Sequence, residues 1–155
     1  MPDWNPKLFL AAARTFEGFC FANPIQDPDG ACRFGGVSLG AAVDFTGPFG
    51  GSVSVRMSEA TAIALTQNIL GEDAGAESHL DTLKELANVV CGNALPEIAG
   101  TTAVFRIGSP YPLQPKEQLR HPTSAHVAMT LPEGCIEIAF AADVPMPSSL
   151  VGSPA

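Results

Sequence analysis

A mixed α/β chain is predicted from three observations. Apolar residues recur at helical spacing in three segments, several short runs alternate apolar and polar side chains, and Gly- or Pro-bearing turns join those runs. In order, the elements read helix, two strands, helix, then helix and three strands.

The first helix is expected over Pro6 to Cys20, with Leu8, Ala12, Phe16 and Phe19 on one face and Pro6 suited to a first turn. Asn23 to Gly36, rich in Pro, Asp and Gly, reads as a loop. Val37 to Phe45 and Gly51 to Met57 then form a hairpin through TGPFG, Val53 and Val55 alternating with Ser52, Ser54 and Arg56. Ser58 can cap a second helix, Glu59 suits its positive end, and Gly71 stops it. Ala60, Ile63, Ala64, Ile69 and Leu70 are the expected buried face of that helix. After an acidic linker from Gly71 to Glu77, Ser78 and Asp81 form a capping-box pattern at the start of a third helix, which Pro96 should end or kink. Thr102 to Ile107 is the next strand, Ser109 to Pro115 a Pro-rich turn region, and Ala125 to Leu131 with Cys135 to Ala142 a second hairpin across PEG. A single domain is expected over 1–143, with 144–155 a frayed tail. If the two halves are related, Glu17 and Cys20 take the places of Glu85 and Asn88, and Ala13 that of Asp81.

With 16 acidic against 8 basic residues, the chain carries a net charge of −8 and repels polyanions, so nucleic acid is not an expected partner. Hydrophobic residues make up 46%, too many for general disorder. No apolar run approaches the ~20 residues of a bilayer span, and Leu8 to Ala13 is too short for a secretory core, so a soluble cytoplasmic protein is expected. Cys20, Cys32, Cys91 and Cys135 lack any C-x-x-C pair and read as reduced, packed thiols. His79, His121 and His126 are not at ligand spacing, and Glu72, Asp73 and Glu77 lack the EF-hand pattern, so no metal site is expected. Phosphate-binding loops, zincin helices and nucleophile elbows are missing.

The third helix carries the most informative pattern. At about 100° per residue, Asp81, Glu85, Asn88 and Gly92 fall within roughly 60° of one another, opposite Leu83, Leu86, Ala87, Val90 and Ala94. Asp81 fits a capping role, Glu85 a solvated acid and Gly92 a site of helix packing; Asn88 is harder to explain structurally, because its amide competes with the helix backbone. An amide both donates and accepts, so it can orient a water without acting as base or nucleophile.

The pattern D-x-x-x-E-x-x-N, continuing VVCGNAL, resembles the active-site helix of the CheC and CheX chemotaxis phosphatases. Pro110 lies 22 positions beyond Asn88, close to where that family carries a Pro after a strand, and GGSVSVRMSEATAIALTQNILGED resembles the family's strand, second helix and acidic linker. The likeness runs over roughly residues 5 to 143, and with one motif instead of two the chain looks more like CheX. The resemblance implies an α/β (α+β) domain with helices packed on a largely antiparallel sheet of about five or six strands. It implies hydrolysis of the aspartyl phosphate on a CheY-type response regulator, with Asn88 positioning the attacking water and Glu85 pairing with a regulator lysine. Asp81, Lys84 and Gly92 would border the contact, Mg²⁺ would sit on the regulator, and this chain would need no cofactor. A homodimer is a further expectation from the family. The competing reading is a non-catalytic module of the same fold that binds a regulator or flagellar-switch partner; a cysteine enzyme stands further behind, since no Cys has an evident His partner in sequence.

Overall fold

The structure, a computed structural model, describes residues 3–27, 38–71, 76–114, 117, 119, 121–132 and 134–143. The expectations for Cys32, Val37, Glu72, Asp73, the Glu77 side chain and the tail at 144–155 lie outside the described residues. Three helices, α1 (Asn5–Cys20), α2 (Glu59–Leu70) and α3 (Ala76–Ala99), accompany β1 (Ile25–Gln26), β2 (Ser38–Thr46), β3 (Gly51–Ser58), β4 (Arg106–Ile107), β5 (Tyr111–Leu113), β6 (Thr123–Leu131) and β7 (Gly134–Ala142).

Alternation in β2, β3, β6 and β7 sends one row of side chains to the helices and the other to the opposite face. Val43 pairs with Val53, Val53 with Phe140, and Val127 with Ile138, so the apolar rows of four strands line up. A slip of one residue would turn those rows outward, which fixes the register. The sheet is antiparallel at every pairing, in the order β1-β6-β7-β3-β2-β4, with β5 also on β2. The largely antiparallel sheet with helices packed on it is as expected, and among the described residues it has seven strands against about five or six. The difference lies in short pieces: β1 falls in the predicted loop, and β5 in the predicted Pro-rich turn. Both borrow their pairing from a neighbour that no local pattern reveals. Conversely, only Arg106 and Ile107 of the strand expected from Thr102 are paired, against Thr46 and Phe45.

Leu8, Phe16, Leu65, Leu83, Leu86, Val90, Met129 and Ile138 are fully buried between helices and sheet. Each contributes about 1.5–3 kcal/mol in removal of apolar surface from water. Trp4, Phe45, Phe49, Phe105 and Phe140 close one end of this core, with ring centroids 5.1–6.5 Å apart. Gly51 permits that closure, since a Cβ there would collide with the Ala141 carbonyl oxygen and the Phe45 ring.

Several local expectations are corrected. Ser58 does cap α2, accepting from the Thr61 N–H, and Gly71 ends the helix at φ 78°. The buried face of α2, however, is Thr61, Ala62, Leu65 and Thr66; Ala60 and Leu70 are exposed. Apolar residues on every side of α2 left its rotation undetermined, and the Thr66 hydroxyl is admitted to the interior by donating to Thr82 Oγ1 at 2.9 Å. Helix α3 begins at Ala76, so Ser78 lies inside it, its carbonyl accepting from Thr82 Oγ1, and Asp81 is no N3 capping residue. Ala76 and Glu77 are good helix formers and carry the helix one half-turn further back. Pro96 neither ends α3 nor caps it: the helix runs through to Ala99 and stops at Gly100, φ 87°. Cys20 and Cys91 are free and buried, but Cys135 is disulfide-bonded, against the expectation of reduced thiols throughout. Spacing along the chain carries no information about which sulfur atoms meet in space.

Candidate functional site

Helix α3 is held from behind between Thr82 and Glu97. Leu83, Leu86, Ala87, Val90, Cys91 and Ala94 are fully buried. Thr82 ties the helix to α2, Asn93 Nδ2 donates to Thr15 Oγ1 of α1 at 2.9 Å, and Arg14 pairs with Glu97 at 3.0 Å. These anchors leave one rotation available to the helix, and it turns the polar stripe to solvent. Asp81, Glu85 and Gly92 are exposed, Asn88 and Lys84 half-buried. The predicted residues therefore do share one surface, with about 4.5 Å of helix rise between Glu85 and Asn88.

Gly92 is not a packing residue. A Cβ added there would meet nothing closer than Ile107 Cδ1 at 4.0 Å, and its exposure removes the helix-packing explanation. Ile107 of β4 flanks the stripe at this end, and Pro110 follows β4 at the start of the turn into β5. Pro96, also exposed, extends the stripe by one more turn. Its spacing of four from Gly92 was the signal in the sequence; reading Pro96 only as a helix breaker concealed it. The Ile107 contact is tertiary and had no such signal.

In the first half, Cys20 occupies the position that would correspond to Asn88 and is buried against the core, while Glu17 is exposed. No second amide is offered to solvent there. Burial pushes the thiols of both Cys20 and Cys91 up to about 12, so both stay protonated and unreactive at neutral pH. The cysteine-enzyme reading loses its two free candidates. Among the described residues, no group of three or more His, Cys, Asp or Glu could hold a metal ion. Among the same residues, no helix is long and apolar enough to cross a membrane.

A sheet backed by helices, one of which turns an exposed acid and a half-buried amide to the same face, defines a protein of α/β class. The family described as Chemotaxis phosphatase CheX matches residues 39–133. The chain belongs to that family. No curated protein matches it in sequence. Among solved structures it is similar to chemotaxis protein CheX from Vibrio vulnificus, at 17% identity and TM-score 0.75, over 92% of this chain and 97% of the other. It is also similar to a chemotaxis protein CheX from Desulfovibrio desulfuricans, at 18% identity and TM-score 0.70, over 89% and 97% of the two chains. A third similar structure is the CheX-CheY-BeF3-Mg²⁺ complex from Borrelia burgdorferi, at 19% identity and TM-score 0.69, over 88% and 96%. At these identities the likeness is one of fold, and it agrees with the antiparallel sheet and helix layer described above.

Proposed function

We propose that this protein accelerates hydrolysis of the aspartyl phosphate on a CheY-type response regulator. The observation that carries the reading is the pair Glu85 and Asn88, one helical turn apart on the solvent face of a helix whose other face is buried. Family membership supports it, as does the similar CheX-CheY complex from Borrelia burgdorferi.

In this reading α3 lies across the regulator's active site. Glu85 pairs with a regulator lysine and fixes the angle of approach, and the Asn88 amide enters to hold the attacking water in line with the acyl phosphate. Asp81 and Lys84 border the contact, while Gly92 lets the regulator's backbone come close. Mg²⁺ remains on the regulator, where it neutralises charge on the phosphoryl oxygens. Asn88 neither donates electrons nor accepts the proton for good; its contribution is positional. The regulator sets the compartment as cytoplasmic, and assembly as a homodimer belongs to the same reading.

Replacing Asn88 with Ala should leave folding intact and slow phosphate release from a phosphorylated cognate regulator by roughly a hundredfold, as removal of one positioned hydrogen-bonding group does elsewhere. Unchanged release by Asn88→Ala would overturn the assignment. Binding of the regulator without any acceleration by the wild type would favour the non-catalytic module instead.

A further inference from the structure

We infer that the backbone carbonyl of Gly92 is a second docking point on α3, accepting a hydrogen bond from a donor on the regulator. The inference rests on the proposed docking of α3 and deepens it. Pro96 stands inside a helix that continues unbroken from Ala76 to Ala99. A proline has no N–H, and its ring pushes against the carbonyl four residues back, so the Gly92 oxygen lacks the donor four residues on that a helix ordinarily supplies.

Three observations make this carbonyl available to another molecule. Gly92 and Pro96 both lie on the exposed face, in line with Asp81, Glu85 and Asn88. Gly92 has no side chain to cover its own backbone. The nearest group to its missing Cβ, Ile107 Cδ1, is 4.0 Å from that position and apolar. The two residue types that most weaken a helix thus stand one turn apart on the one face the core does not use. Packing requires neither of them there. Together they expose a backbone acceptor about 6 Å along the helix from Asn88.

The chemistry of the matching group follows from its surroundings. Asp81, Glu85 and the freed oxygen form a row of acceptors on one face, so the regulator should meet it with donors: an amine, a guanidinium or a backbone N–H.

Pro96→Ala and Pro96→Val both restore the N–H that can close the bond to Gly92, and Val keeps apolar bulk comparable to the ring. The affinity of each for a regulator loaded with beryllofluoride and Mg²⁺ should be measured beside the wild type and Asn88→Ala. Both Pro96 variants are expected to bind roughly tenfold more weakly, the loss of one hydrogen bond to a strong donor. Equal affinity in both, or retained affinity in Pro96→Val alone, would overturn the inference, the second outcome assigning the effect to ring contact. Wild-type protein that binds no loaded regulator would remove the docking reading itself. A wild type that binds, with Pro96 variants that bind as well, would remove only the role of Gly92.

Discussion

Phe21 ends α1 with φ 56°, the left-handed conformation, while the Ala22 N–H returns to the Phe16 carbonyl at 3.1 Å. An L side chain in that conformation costs roughly 1–2 kcal/mol, and a ring that is 74% exposed recovers little of it. Phe21→Gly should therefore stabilise the protein by about 1 kcal/mol, raising Tm by about 2–4 °C in thermal unfolding. A fall in Tm would mean the ring packs more than its exposure indicates. Asn88 is the contrasting case at the same scale. An amide is unfavourable at mid-helix, and that alone marked it in the sequence as a candidate for the role proposed above.

At the scale of the element, α3 concentrates its weaknesses where a partner is proposed to bind. Gly costs about 1 kcal/mol and Pro about 3 kcal/mol in a helix interior, and both appear on the exposed stripe. Because no contact tighter than 4.0 Å opposes a methyl group at Gly92, Gly92→Ala should raise stability by about 1 kcal/mol and slow regulator dephosphorylation. Thermal melts and phosphate-release rates read the two effects separately; an increase in both would contradict a close approach at this position. The stripe could be found without coordinates because helical geometry relates positions four apart whatever surrounds them. The limits of α3 could not, since Ser78 imitates a cap and Pro96 imitates a stop. Nor could the rotation of α2, where apolar residues on several faces leave the choice to the Thr66–Thr82 hydrogen bond. The short strands β1, β4 and β5 are likewise products of the long strands they pair with.

At the scale of the whole molecule, the sheet has a second face with its own electrostatics. His126 Nε2 and Glu137 Oε2, on neighbouring strands, approach to 3.2 Å on the side opposite the helices. The hydrogen bond that the His126 ring donates to Glu137 raises the His126 pKa above its ordinary 6.5, although burial opposes the charge. The same bond, with help from Arg56, holds Glu137 below its ordinary 4.5. The imidazolium's contribution to stability is complete below pH 6.5 and is lost as pH rises through the raised value. The carboxylate's is complete above pH 4.5 and is lost as pH falls through the lowered value. The Tm difference between wild type and Glu137→Gln should therefore be greatest between pH 4.5 and 6.5 and diminish on either side. A difference independent of pH would exclude a charged pair. The aromatic end of the core has a practical consequence of another kind. Trp4 is the chain's single tryptophan, 4% exposed and set against Phe49 and Phe140. Its fluorescence is thus an internal gauge of whether α1 remains seated on the sheet, insulated from events on the outer surface of α3. A variant that loses turnover with native emission has lost docking or chemistry; one whose emission shifts to the red has lost its fold.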